Sequence, residues 1–313
     1  MTLVLSEDDV ASLVEMKGAV AAVEEAFRQE AIGDAVNSPR TRSKVSGAQI
    51  NAMHAASPYL GRGGAKVYMS TPSGTRFVFL LFDTKVADLL AVMGADVLGR
   101  YRTGAASGVA TKHLYGKSSA EVGVCGSGKQ ALTQVLAVSA VTSVRQVKVW
   151  SPRAPHREAF AKKLVELGFD AHAVATPREA AQGSDVVSTI TSSKEPFLQA
   201  DMLMAVSHLN VCGGNDPDRA EVSPDVVSSC RTVVVDDLAQ GKVEYGDLIQ
   251  AATMGLFSWE SAVELKDIVG GKVKAEGRTL FKSGGAALED VALGSLLYDK
   301  AKESGRFPEL KLA

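Results

Sequence analysis

The sequence has little of what builds covalent or metal frameworks. It holds three cysteines (Cys125, Cys212, Cys230) and no CxxC, which excludes a disulfide scaffold and a zinc ribbon. Its five histidines show no metal-ligand spacing. There is no polybasic block, and the net charge is −2. Nucleic-acid and anionic-membrane partners, which need a positive footprint, are therefore not expected. No apolar run approaches ~18 residues, the length a spanning helix needs. The first residues, Met1 to Asp9, turn acidic at once and lack the basic start of a secretory signal. No low-complexity linker or solenoid-period repeat is present. Apolar residues make up 46% of the 313, and at ~150 residues per domain the length suggests two domains. The expectation is a soluble, cytoplasmic protein whose cysteines are small buried groups.

The N-terminal part reads as α+β. Ser6-Glu7-Asp8-Asp9 is a capping box with Asp in the Glu/Gln place. Val10, Leu13 and Val14, then Val20, Val23 and Phe27, keep helical spacing, with an interruption at Gly18. Residues 48–54, 65–69, 76–82 and 87–93 are short apolar segments divided by turn residues, which predicts four strands of one antiparallel sheet. A helix is predicted over 96–115. Its centre, Gly104 to Ala110, is built of small residues that admit other backbones closely. From Glu121 onward strands alternate with helices, at 121–125, 146–150, 170–174, 185–190, 208–212 and 232–235. Such alternation predicts a parallel sheet. The last helix, 286–302, follows Ser283-Gly284-Gly285 and is placed back with the N-terminal part.

The sharpest local signal is Gly126-Ser127-Gly128-Lys129-Gln130-Ala131, directly after a strand. Its glycines permit a tight turn and close approach of a pyrophosphate, and the helix that follows offers free N–H groups. Gly126-Ser127-Gly128 is better explained this way than as a serine-nucleophile elbow. The next strand ends in Trp150-Ser151-Pro152-Arg153. An NAD-preferring site carries an acid at that tip for the ribose 2′-OH. Ser151 and Arg153 suit a 2′-phosphate instead, so NADP is preferred over NAD. Thr189, Thr191 and Ser192 end another strand of this sheet, where ligands gather. Asp236-Asp237 reads as a turn.

Cations cluster outside this region. Arg40 and Arg42 lie in a polar segment, Lys66 starts an apolar strand, and Arg100 and Arg102 flank the small-residue helix. A lysine in a buried strand needs a partner. A substrate carboxylate is a natural one, and arginine binds carboxylates bidentately.

These stretches, in this order, resemble the ornithine cyclodeaminase/mu-crystallin family over nearly the whole chain. The resemblance rests on Pro39-Arg40-Thr41, Gly64 to Val67, Arg102 to Ser107, the glycine loop, Asn210 to Asn215 with Pro217 and Glu221, Val235 to Leu238, and Phe281 to Asp290. It implies a Rossmann NAD(P)-binding domain, 117–286, and a smaller α+β substrate and dimerisation domain. The smaller domain would span 1–116 and be completed by 287–313. It also implies a homodimer and an active site in the cleft between the domains. Members include cyclodeaminases, amino-acid dehydrogenases and ketimine reductases.

By this resemblance Lys66 lies beside the reacting imine or carbonyl and Arg102 holds the substrate carboxylate. Arg40 is a second carboxylate ligand, a role that Arg42 is near enough to fill. Thr103 joins the cofactor-binding residues, and the helix around Asp290 sets its N-terminus near the nicotinamide. His54 stands where the family usually has Pro and is a pocket candidate. One position departs: where cyclodeaminases and the family's alanine dehydrogenase carry a proton-handling Asp, this chain has Asn215, followed by Asp216. Asn is no general base, but Asn215 can orient the substrate and Asp216 can stand in with a one-residue shift of the loop, so both are catalytic candidates beside Lys66. The expected function is therefore an oxidoreductase acting at the C–N bond of a small amino or imino acid. The alternatives are an ornithine or lysine cyclodeaminase with catalytic NAD, and a mu-crystallin-like NADPH- and ligand-binding protein.

Overall fold

The computed structural model describes residues 1–311. They divide into two compact units, residues 1–103 with 285 onward, and residues 104–284.

In the first unit β1 (Thr2–Leu5) leads into α1 (Glu7–Leu13) and α2 (Met16–Ala31). The Ser6 capping box is formed at the start of α1, the Ser6 hydroxyl accepting from Asp9 N–H. The helical break falls at Val14-Glu15, both in extended conformation, rather than at Gly18, which lies inside α2. Then come β2 (Val36–Asn37), β3 (Thr41–Val45), β4 (Ala48–Ser57), β5 (Arg62–Thr71), β6 (Gly74–Asp83), β7 (Leu89–Gly94) and the start of α3 (Asp96–Leu114). β4 to β7 pair antiparallel in sequence order. The sheet is larger than the predicted four strands, and mixed. β1 pairs parallel with β7, β2 and β3 both pair with β4, and Glu309–Leu310 pairs with β1. These extra strands are short or polar, and give little alternation to find. Ala87, expected in a strand, takes a left-handed conformation (φ 60°) in the turn that Asp83 closes by accepting from Lys85 and Val86 N–H.

The C-terminal helix, Ala287–Ser304, packs on one face of this sheet and on α2. Phe79 is the joint. Its ring lies so close to Gly64 of β5 and Gly294 of the helix that neither position has room for a Cβ. Phe79, Leu81, Met53, Val291 and Leu297 are all fully buried around it.

In the second unit β8 (Ser119–Cys125), β9 (Ser143–Trp150), β10 (Ala171–Ala173), β11 (Val186–Thr189), β12 (His208–Val211), β13 (Thr232–Val235), β14 (Val263–Glu264) and β15 (Thr279–Lys282) form one parallel sheet. The order is β10-β9-β8-β11-β12-β15-β13-β14. This is the doubly wound arrangement, with the strand order reversing between β8 and β11. A ligand crevice is expected there, outside the carboxyl ends of the strands. β15, an inner strand, was not predicted. It has four residues and ends on Lys282, so its composition hides its burial. α4 (Ala131–Ser139) follows β8, and α5 (Ala154–Glu166) follows β9. The small-residue stretch of α3 serves close packing: a Cβ on Gly104 would lie 2.6 Å from Thr133 O of α4.

Among the described residues no helix is long and apolar enough to cross a membrane, and no group of three or more His, Cys, Asp or Glu is placed to hold a metal.

Glu7 makes a further cap, its two carboxylate oxygens accepting from Asp96 N–H (2.8 Å) and Val97 N–H (2.9 Å) at the start of α3. Replacing Glu7 with Ala is expected to cost about 1–2 kcal/mol and to lower the melting temperature by a few degrees. Asp8→Ala, at an exposed neighbour, should leave it unchanged.

Candidate active site

Alternation along β5 sends Ala65 and Val67 to one face, and Gly64, Lys66 and Tyr68 to the other. Lys66 stands opposite Met53 of β4 and Phe79 of β6, in the middle of the packed face, and is 2% exposed. Its Nζ donates to Asp290 Oδ2 at 2.6 Å. The other oxygen of Asp290 accepts from Arg102 Nε at 3.1 Å, and Arg102 also donates to Glu289 Oε2 at 2.8 Å. Arg40 donates to Gly285 O at 3.3 Å. Lys66, Arg102 and Arg40 thus come together, all buried, from three distant segments. The acids that meet two of them occupy the first turn of the C-terminal helix, where its dipole also favours anions. Burial pushes the Lys66 ammonium down to about 8, and Arg102 adds to the fall, while Asp290 opposes it.

Arg42 of β3 stands opposite Asn51, which lies two residues from Met53. It therefore shares the sheet face of Lys66 and is half-buried. His54 does not join the cluster. It neighbours Met53 and pairs with Ala65, so it points to the other face and is exposed. Thr103 is buried on α3 next to Arg102. Sequence reasoning missed the substance of the acidic pair. Glu289 and Asp290 look like ordinary helix-start acids, and only their apolar surroundings, Ala286 to Leu288 and Val291 to Leu293, signalled burial.

In the second unit a cleft of about 610 Å³ opens at the carboxyl ends of β8, β9, β11 and β12. Gly126, Ser127, Gly128, Lys129 and Gln130 form one wall, and Ser151, Arg153, Thr191 and Ser192 also line it. Thr189 does not. It lies fully buried beneath the cleft and donates to Glu221. Gly126 has φ 134°, and a Cβ there would strike Ile190 O, so the sharp turn needs glycine. Nothing lies within 4 Å of a Cβ built on Gly128, which leaves its backbone open to a ligand. The Ser127 hydroxyl donates to Ser151 Oγ at 2.9 Å, joining the glycine turn to the tip of β9. Among the described residues no carboxylate lines the cleft, whereas Lys129, Arg153 and His156 do. A gap shaped by glycine, next to a helix start and lined by hydroxyls and cations, fits a dinucleotide phosphate backbone.

Asn215 is half-buried in the loop after β12. Asp216 is exposed, and its carboxylate accepts from Asp218 N–H at 3.1 Å, which closes the turn of that same loop. Cys125 and Cys212 are buried thiols. Burial pushes Cys212 up to about 12, so it is no nucleophile although it lines the cleft. Asp236 accepts from Asp237 N–H, Ser283 Oγ, Gly284 N–H and Tyr245 Oη. Asp237 caps the following helix through Gln240 N–H.

A profile of the ornithine cyclodeaminase/mu-crystallin family matches residues 1–305. The alanine dehydrogenase of Archaeoglobus fulgidus is 31% identical over 315 residues, 96% of this chain and 95% of that protein. The solved structure of Thermococcus litoralis Delta(1)-pyrroline-2-carboxylate reductase in complex with NADH and L-proline is 31% identical, with a TM-score of 0.93 over 99% of this chain and 100% of that one. An archaeal alanine dehydrogenase dimer with bound NAD is 29% identical, with a TM-score of 0.92 over 100% of this chain and 99% of that one.

The buried ion cluster carries a large penalty if broken on one side. Asp290→Ala leaves Lys66 without its anion and should cost about 3–5 kcal/mol in urea unfolding. Asp299→Ala, which breaks the more exposed pair with Arg62 (2.6 Å), should cost under about 1 kcal/mol.

Proposed function

As the chain belongs to the ornithine cyclodeaminase/mu-crystallin family, we propose that it is an NAD(P)-dependent oxidoreductase that works on the C–N bond of a small amino or imino acid. The observation that carries this reading is the buried Lys66, flanked by Arg102 and Arg40 and brought near neutrality by burial. The nicotinamide, when bound, supplies the hydride for imine reduction or accepts it in oxidative deamination. The protein's own residues handle the rest. Arg102 and Arg40, with Arg42 on the same face, hold the substrate carboxylate. Lys66 gives a proton to the nitrogen in reduction and takes one in the reverse direction. A group that titrates near the working pH serves both directions. Cyclodeamination asks for a further base after β12. Asn215 cannot be one, which leaves the exposed Asp216, with Oδ1 accepting from Asp218 N–H, as the group that reading would need.

The glycine turn, with Lys129 and Gln130, cradles the pyrophosphate. Ser151 and Arg153 at the tip of β9 take the ribose 2′-position, and with no acid there the preferred cofactor is NADP. The partner is a second copy of the chain. The sheet face turned away from the C-terminal helix carries a continuous apolar row across β4 to β7. Its members Ile50, Met69 and Val78 are 42–44% exposed, with Ala52, Val67, Leu80 and Val92 between them. Such a face suits an isologous contact. The three free thiols fit a cytoplasmic, reducing setting.

The direct test follows NADPH and NADH absorbance with cyclic imines and with 2-oxo acids plus ammonia or methylamine. Turnover with one class is expected, and silence in the presence of confirmed cofactor binding overturns the reading. Imine reduction needs the Lys66 cation, so its rate should fall as pH rises through about 8. Amino-acid oxidation needs the neutral amine and should rise over the same range. Lys66→Met should abolish both limbs with cofactor affinity unchanged.

Arg153→Ala should weaken NADPH by about tenfold or more, the worth of one charge-assisted bond. NADH should be nearly unaffected. Equal loss of both cofactors assigns Arg153 no part at the 2′-position.

A further inference from the structure

One carboxylate ties down the floor of the cleft. Glu221, 1% exposed, receives four hydrogen bonds. Thr189 Oγ1 and Gly213 N–H donate to Oε2, both at 2.7 Å, and Thr191 N–H and Oγ1 donate to Oε1 at 2.6 and 2.7 Å. The donors come from the ends of two adjacent strands, β11 and β12. The carboxylate presses so closely on Gly213 that no Cβ fits there. Behind it, Asp247 Oδ1 accepts from Glu221 N–H at 2.6 Å and from Val222 N–H at 3.0 Å. Asp247 Oδ2 meets Lys282 Nζ, at the end of β15, at 2.6 Å. Burial raises the Glu221 pKa, and the Lys282 charge works against the rise.

Thr191 and Gly213 themselves line the cleft. In a doubly wound sheet the adenosine half of a dinucleotide lies over the first two strands, here β8 and β9. The other half falls over the ends of β11 and β12. We propose that Glu221 is a positioning residue for the nicotinamide half of the cofactor, holding the ends of β11 and β12 in one geometry through Thr191 and Gly213. This rests on the dinucleotide reading above. An ionised carboxylate is the side chain of this size that accepts at both ends. An amide turns one end into a donor that faces a backbone N–H, loses that bond, and makes the threonine hydroxyl beside it reverse from donor to acceptor.

The test is calorimetric titration with ADP, which reaches the adenosine end alone, and with the tighter-binding of NADH and NADPH. In Glu221→Gln the dinucleotide dissociation constant should rise by about tenfold or more, with ADP binding changed less than about twofold. Thr191→Val keeps the carboxylate and deletes one donor. It should show a smaller rise with the same selectivity, and it decides the matter if Glu221→Gln does not fold. Equal weakening of ADP and dinucleotide, or an unchanged dinucleotide constant, overturns the role of Glu221. Failure of the unaltered protein to bind either ligand overturns the cofactor reading, and this inference with it.

Discussion

An ammonium group taken out of water must meet an anion or give up its proton. Lys66 sits between these outcomes. Asp290 holds the charge in place, while burial and Arg102 press it off, and the balance comes near neutrality. Much of the first unit follows from this compromise. The C-terminal helix must begin where Asp290 meets Lys66 and Arg102, and it must lie flat on β4 to β6 to do so. Phe79, held between two glycines, fixes the distance at which sheet and helix meet.

The second unit treats carboxylates differently. Among those it buries, Glu221, Asp236 and Asp247 collect backbone and hydroxyl donors from the segments around the sheet. The lining of the cleft itself holds hydroxyls, glycines, cations and apolar side chains such as Trp150 and Phe197, and no carboxylate among the described residues. A polyanionic ligand then meets positive potential and open N–H groups, while the negative charge that shapes the walls is hidden behind them.

The order of legibility follows the range of the interactions. The glycine turn announces itself locally, because strand, turn and helix start are contiguous, and Gly126 and Gly128 have the roles such a turn demands. Lys66 was visible as a charge in an apolar strand, but its anion lies 224 residues away and no local pattern names it. Glu221 was visible as a motif letter without a role, since its four donors arrive from two other loops. His54 shows the cost of a one-residue offset in a strand: beside Lys66 in the pairing, it is on the far side of the sheet. Thr279–Lys282 was lost because a four-residue strand ending in a charge carries almost no period.

The first unit is discontinuous, and the ribosome makes its parts in order. Residues 1–103 emerge before the second unit, and the helix that carries Asp290 emerges only after all of residues 104–284. During that interval Lys66 and Arg102 have no Glu289 or Asp290 to meet, Arg40 has no Gly285 carbonyl, and the face that will receive the helix is open to water. The second unit is one uninterrupted stretch and can reach its fold meanwhile. The nascent first unit therefore waits as a sheet with an uncovered, cationic face, and its buried ion pairs close only once the second unit has been made.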